Sequence, residues 1–509
     1  MIVVDRLTAL DRLMLWASRR WPQDVGALAI LDGSPLLDQS GRLRLGAVRG
    51  AIEPRLHLVP RFRQLIYQPR RGLGGPVWVD ARTFDLTQHV RELPVGPPAG
   101  EPELLAAVEQ LLHRRLDSSR PLWEMWFLTG LPERQVGVFV RIHHTIADGI
   151  AAMATVATFL DTAPDAPARA PETPRWRSTP WPSAATLFGD NVGRRLRGFL
   201  DALSMLARPL TNLGRLRTAW PALRELIAEE PATETSLDRM VGPERDLALI
   251  RCDLNTVRRA GRAHGATVND VLLTALAGGL RSLLRSRGEP VEDTTVRVYV
   301  PVTLRRRWRG PQHGNQIAQM AVPLHLGLHD PERRLRQVAA ETTMRKARAR
   351  TSLDSLLHGR LLRRLALVAV MRQRVNATTA SIPGPRVPLY LVGARVLGVF
   401  PVPPLVANEP LAVGALSYAG TLAIGVNVDR DAYPDLDVLA AAMRDELEAM
   451  GIPTIPGIGT AAPVSGFRSR RPSLEMEITG ERRSILPVSD ASPSAVNRQP
   501  PPVIEDLRQ

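Results

Sequence analysis

The chain has a single cysteine, Cys252, among 509 residues. That excludes an intrachain disulfide framework and a cysteine-rich zinc site, and it permits a reducing compartment. Aromatic residues make up only 5% of the chain, too few for a base-stacking platform of the kind that reads single-stranded nucleic acid. Lysine is almost missing: of 66 basic residues only Lys346 is a lysine, so the net charge of +15 is an arginine charge. Such a bias spread over solvated faces names no nucleic-acid partner, but it favours anionic surfaces in general. No run of 18 or more uncharged apolar residues occurs, so any membrane contact is expected to be peripheral. The opening segment is interrupted by Asp5, Arg6, Asp11 and Arg12 and does not read as a signal peptide. The chain also has no P-loop, no G-x-S-x-G elbow and no nucleophilic cysteine context. Without a nucleophile, direct group transfer assisted by a general base is the natural chemistry.

What is present is enough chain for two domains. Residues 1–165 alternate strand and helix patterns. Val25–Gly33 and Arg134–His144 read as strands. Pro102–Asp117 reads as a helix, with Leu104, Leu105, Val108, Leu111 and Leu112 at helical spacing. Residues 166–245 start Pro-rich and continue as a basic amphipathic stretch, Asn191–Glu230, suited either to packing on its own protein or to an anionic lipid surface. Residues 246–456 form a second region of strands separated by helices, and the class is therefore α/β. Residues 457–509, rich in Pro, Ser and Arg, read as a disordered tail.

The chemistry concentrates at His143-His144-Thr145-Ile146-Ala147-Asp148-Gly149. Val136, Val138, Val140 and Ile142 share one parity of the strand, and His144 continues it, so the second histidine is expected to face the apolar interior. A buried imidazole is held neutral and can serve as a base. His143 falls on the other face, with Phe139 and Arg141. Asp148 could orient an imidazole, cap the next helix or pair with a buried arginine, and Gly149 leaves room for a close approach. Adjacent histidines on a strand diverge, so a metal site is not expected. Two other patterns carry less. Arg71–Pro76 has glycines but no following helix. His325 and His329 have the spacing of a helical zinc pair, but Pro323, Gly327 and Pro331 argue against a helix there.

The HHxxxDG pattern resembles the acyltransferases that share the chloramphenicol acetyltransferase fold. The stretches "LTALDRLMLW", "PRFRQ", "LDSSRPLWEMWFLTGL", "TVNDVLLTALAGGLRSLL", "VPVTLR", "GNQIAQMAVPL" and "IPGPRVPLYLVGARV" are similar to the bacterial wax ester synthase/diacylglycerol acyltransferase family, from about Leu7 to Met450. The resemblance implies two mixed-sheet domains with flanking helices and an active-site tunnel at their interface. It implies acyl-CoA as a substrate with no cofactor, and diacylglycerol or a long-chain alcohol as acceptor. It further implies a cytoplasmic protein, peripheral on the inner membrane face or on lipid bodies.

By the same resemblance His144 is the general base and His143 supports it. Asp148 is structural, with Arg305 of "PVTLR" as its ion-pair partner. Asn269 of "TVNDV" either caps its helix or donates a hydrogen bond to the oxyanion or acceptor, and Gly149 and Pro121–Trp123 shape the pocket. Two positions depart from the family pattern. Ser381 stands where asparagine is usual before Ile382-Pro383-Gly384-Pro385, and Ala9 replaces a proline before Leu10-Asp11. The serine leaves room for an acyltransferase with another hydroxyl acceptor, or for a weakly active lipid-binding relative.

Overall fold

The computed structural model describes residues 4–166, 176–206, 233–303, 317–356 and 375–457. The expected tail beyond Gly457, Arg305, and the latter part of the basic amphipathic stretch lie outside them. The first half contributes α1 (Ala9–Ala17), β1 (Asp24–Asp32), α2 (Leu45–Ile52), a hairpin of β2 (Gln64–Tyr67) and β3 (Val77–Asp80), β4 (Val90–Pro94), α3 (Glu101–His113), β5 (Trp123–Thr129), β6 (Gln135–His143) and α4 (Gly149–Ala157). Helix α5 (Ala184–Leu206) follows. The second half contributes β7 (Arg245–Asp253), α6 (Leu254–Ala263), α7 (Val268–Ser286), β8 (Thr295–Thr303), β9 (Ile317–His325), α8 (Pro331–Leu356) and β10 (Ala377–Pro383). It ends with β11 (Tyr390–Leu391), β12 (Ala394–Val402), β13 (Leu411–Tyr418), β14 (Thr421–Asp429) and α9 (Leu436–Ala449).

These strands build two six-stranded mixed sheets, ordered β11-β12-β1-β6-β5-β4 and β7-β14-β13-β10-β8-β9. Parallel pairs, β4 with β5 and β10 with both β13 and β8, sit among antiparallel ones. The fold is therefore two mixed sheets flanked by helices, as the resemblance implied. Strand β12 comes from the second half of the chain yet pairs antiparallel with β1 and completes the first sheet. Its Pro401 lies so close to β13 and β14 that a Cβ on Gly414 would fall 2.7 Å from the Pro401 ring, and one on Gly425 2.0 Å from its carbonyl oxygen. Glycine at both places lets the crossing strand pass.

The core follows from this layering. The second sheet packs on α7, whose apolar residues from Val271 to Leu284 are buried almost throughout, and on α9. The first sheet is covered on both faces. Val136, Val138, Val140 and Ile142 join one cluster with Trp123, Phe62 and Phe159. Phe139 joins another with Leu28, Phe400, the α3 leucines and Leu247 and Leu249 of β7. The parity argument expected a single buried face, but β6 is a central strand and is buried on both. The near-continuous apolar run VGVF is what such a strand requires. Among the described residues no helix is long and apolar enough to cross a membrane.

Candidate active site

Strand β6 carries the motif into a turn whose backbone is held from three sides. The His143 N–H donates to the Leu122 carbonyl at 2.9 Å, the His144 N–H to the Gln23 carbonyl at 2.8 Å, and the Ile146 N–H back to the His143 carbonyl at 2.8 Å. Both histidines are thus placed by β6 and the chain entering its two neighbours, β1 and β5. The strand ends at His143, and its alternation does not extend to the next residue.

The two imidazoles have different surroundings. His143 is 3% exposed. Its Nδ1 accepts from the Thr145 N–H at 3.2 Å and lies 2.8 Å from Thr145 Oγ1; its Nε2 is 3.0 Å from Ser18 Oγ. An Nδ1 that accepts from an amide places the ring proton on Nε2, where it donates to Ser18. Burial, together with the neighbouring His144, pushes the pKa of His143 down to about 4, so the ring is neutral. His144 is half-buried. Burial lowers its pKa as well, while a hydrogen bond from the ring to its own backbone and then the carboxylates of Asp148 and Asp11 pull in the opposite direction. Both imidazoles are thus desolvated, with less of the His143 surface reaching solvent.

Asp148 is buried and is the N-cap of α4: its Oδ1 accepts the Ala151 N–H at 2.8 Å. Capping was one of three roles open to it in the sequence; its expected partner Arg305 lies outside the described residues. Gly149 opens the helix against the second sheet. A Cβ at this position would sit 3.1 Å from Cδ1 of Ile382 on β10. Ile382 in turn packs into the first-sheet core. The HHxxxDG turn and the Ser381–Pro385 segment therefore meet where the two sheets join. Ser381 is exposed on β10. The N–H of Gly384 donates to the Ser417 carbonyl at 2.9 Å, and a Cβ there would come within 2.3 Å of that oxygen.

Asn269 is not the cap of α7. Thr267 is, in a capping box with Asp270, whose Oδ2 accepts from the Thr267 N–H at 2.8 Å and whose Oδ1 accepts from Thr342 Oγ1 at 2.7 Å. The Nδ2 of Asn269 is buried and has no acceptor among the described residues. Trp123 of "PLW" is a core residue, stacked between Phe62 at 4.3 Å and His89 at 4.6 Å, with its indole N–H on the Phe62 carbonyl at 2.9 Å. Its neighbour Leu122 supplies the carbonyl that holds His143. The two residues of the "HLGLH" pattern are engaged separately: His325 faces Thr295 Oγ1 at 2.9 Å, and His329 takes the Arg281 guanidinium at 2.9 Å.

Sequence reasoning missed two groups. The first is the anchor of His143, Ser18, which ends α1. The Arg115 guanidinium donates to the carbonyls of Ser18 at 3.0 Å and Arg19 at 2.7 Å there, satisfying the helix C-terminus. Nothing in the local pattern links these positions. The second is Arg141, 1% exposed beneath the histidines. It bonds Glu124 at 2.9 Å, lies 3.7 Å from Asp24 and donates to the Arg114 carbonyl. Burial holds the Asp24 pKa up at about 6 against the pull of Arg141. An arginine inside an otherwise apolar strand was the available signal.

Sheet order and motif together define a class, the bilobed acyltransferases. Among solved structures, the wax ester synthase/diacylglycerol acyltransferase from Marinobacter aquaeolei VT8 has this fold, with a TM-score of 0.62 at 23% identity over 87% of this chain and 98% of that one. The first condensation domain of the calcium-dependent antibiotic synthetase shares it too, with a TM-score of 0.57 at 16% identity over 89% and 99%. In sequence, residues 7–272 match the wax ester synthase/diacylglycerol acyltransferase catalytic domain, and residues 313–451 match the C-terminal domain of that family. A Mycobacterium tuberculosis protein named probable diacylglycerol O-acyltransferase tgs1 is 30% identical over 459 residues, covering 87% of this chain and 95% of its own. A second protein of that organism, with the same activity in its name, is 30% identical over 471 residues, covering 87% and 90%. The chain belongs to the wax ester synthase/diacylglycerol acyltransferase family, and is an acyltransferase of that family.

Proposed function

We propose that the protein moves a fatty acyl group from acyl-CoA to the hydroxyl of diacylglycerol, and to a long-chain alcohol where one is offered. His144 acts as general base and no covalent acyl-enzyme forms. The observation that carries this reading is the division of labour between the imidazoles. His143 has both ring nitrogens engaged, by Thr145 and Ser18, and serves to brace the turn. Beside it, His144 is kept neutral by burial, while Asp148 and Asp11 favour the imidazolium that appears once it has taken a proton.

In the proposed reaction the His144 imidazole accepts the acceptor's hydroxyl proton as the oxygen attacks the thioester carbonyl. The tetrahedral intermediate then collapses, the C–S bond breaks, and the imidazolium returns the proton to the CoA thiolate. General-base help of this kind contributes about 10²–10⁴-fold. Holding donor and acceptor in one channel between the lobes supplies a further part through orientation. The buried Nδ2 of Asn269, without an acceptor among the described residues, supports its reading as a donor to the carbonyl oxygen as that oxygen becomes an anion. Asp148 acts in this reading by capping the start of α4. The protein would work in the cytoplasm at the surface of the inner membrane or of lipid bodies, where its acceptor is dissolved.

Ser381 favours one second reading: with the family's asparagine replaced on an exposed stretch of β10, the acceptor is a different hydroxyl compound. The test is purified protein with radiolabelled palmitoyl-CoA and a panel containing dioleoylglycerol, hexadecanol and hydroxylated acceptors of other classes. The main reading expects labelled triacylglycerol first. Label in another ester alone would transfer the conclusion to the second reading, and no labelled ester at all would end both.

A further inference from the structure

Helix α5 is fastened to the body along one face. Leu187 is buried with Val77 and Val79 of the β2–β3 hairpin. Asp190 receives the Arg6 guanidinium at 2.5 Å, and the Asn191 amide donates to the Gly72 carbonyl at 2.8 Å. At about 100° per residue, these three point to one side of the helix. The opposite side carries Phe188, Val192, Leu196, Phe199 and Leu200, at the spacing of a single stripe. These side chains are 46–60% exposed. Five large apolar residues aligned on one exposed helix face are unlike the scattered apolar residues of an ordinary surface. The stripe is bordered by Arg195 on one edge and Arg197 on the other, both exposed.

The charge pattern selects the occupant. From Phe188 to Leu200 the only acidic residue is Asp190, and Arg6 already occupies it. A second copy laid stripe to stripe would bring arginines against arginines with no carboxylate of the segment to answer them. A leaflet of anionic lipid offers acyl chains for the stripe and headgroup phosphates for the arginines. We propose that the Phe188–Leu200 face of α5 is the surface by which the protein docks on an anionic lipid interface. The helix lies in the plane of the headgroups, and its anchored face holds the first lobe against the membrane. This deepens the lipid-surface reading above and rests on it for the partner, but its readout involves no acyl transfer.

The experiment is flotation of the full-length protein with vesicles of phosphatidylcholine and phosphatidylglycerol at 3:1, compared with phosphatidylcholine alone, an order-of-composition choice of about one anionic lipid in four. Wild type is expected to float with the anionic vesicles and less with the neutral ones. F188E/F199E should reduce the bound fraction at least about tenfold; R195E/R197E should abolish the preference for anionic lipid. All four side chains are exposed, so the variants should keep the wild-type melting temperature, and each should still transfer acyl groups to a short, water-soluble alcohol if wild type does. Flotation unchanged in F188E/F199E would overturn the proposal. So would a dimer of wild type, seen by light scattering, that dissociates in this variant while vesicle binding is retained, because the stripe would then belong to a second copy. Loss of acyl transfer in wild type with flotation intact would instead count against the reaction and leave the docking face standing.

Discussion

Replacing Asp148 separates two roles for one carboxylate. The structure shows its Oδ1 accepting the Ala151 N–H at 2.8 Å as the cap of α4. Losing such a cap costs about 1 kcal/mol, within a range of roughly 0.5–2. Losing a negative charge at a helix N-terminus adds about 0.3–1 kcal/mol. Asp148→Asn keeps an acceptor oxygen at the cap and removes only the charge, so it should cost under about 1 kcal/mol. Asp148→Ala loses both and should cost about 1–3 kcal/mol. If a buried arginine instead depended on this carboxylate, both variants would lose roughly 3–5 kcal/mol. Urea unfolding at neutral pH measures the difference. The same pair tests the electrostatics of His144, because the Asp148 charge raises that imidazole's pKa against the effect of burial. Without the charge the pKa falls. The base is active when neutral, so the acid limb of the pH profile should move to lower pH in Asp148→Asn. A variant as unstable as Asp148→Ala, or an acid limb that moves up, would refute the capping argument or the electrostatic one respectively.

Three further outcomes follow from the same geometry. His143 has a folded pKa near 4 against an ordinary value of 6.5, so the unfolded chain binds the proton first as pH falls. Its contribution is fully present above pH 6.5 and is lost as pH falls toward 4; between pH 6.5 and 5 the loss is about 2 kcal/mol. Asp24, raised to about 6, acts in the opposite sense between pH 3.8 and 6. The expectation therefore concerns the difference between wild type and His143→Asn in unfolding at pH 5 and pH 7, and equal pH slopes for the two proteins would contradict it. Asn269→Leu removes a buried donor that has no acceptor among the described residues, so stability should hold within about 0.5 kcal/mol while turnover drops. Full turnover in that variant would remove Asn269 from the reaction. Gly384→Ala would set a Cβ against the Ser417 carbonyl oxygen and should cost about 1–3 kcal/mol by thermal or urea unfolding. A neutral result there would mean that the β10–β13 seam yields.

Much of the fold was legible because its signals are local. Asp148 before Gly-Ile-Ala-Ala-Met has the form of a helix cap, and it is one. The apolar spacing of Pro102–Asp117 marked α3, although the helix stops at His113. What could not be read depended on distant pairing. Strand β12 is apolar enough to be a strand, but nothing along the chain says that it adds to β1 of the first sheet. The burial of His143, which the alternation puts on the other face, has the same origin. Alternation on β6 was extended one residue past the strand's end, where the Gln23 carbonyl and the Ile146 turn control the backbone. Ser18, which completes the bracing of His143, caps the end of α1 and gave no signal at all. For Asn269 the sequence left two roles open, and Thr267 removed one of them by occupying the cap.

The most direct measurement is acyl transfer by His144→Ala, confirmed as folded by its unfolding curve, from radiolabelled palmitoyl-CoA to dioleoylglycerol, beside wild type and His143→Asn. With His144 as the base, turnover in His144→Ala falls by about 10²–10⁴-fold, the loss expected when general-base catalysis is removed. Triacylglycerol made by folded His144→Ala at the wild-type rate would contradict the assignment of the base and the mechanism built on it.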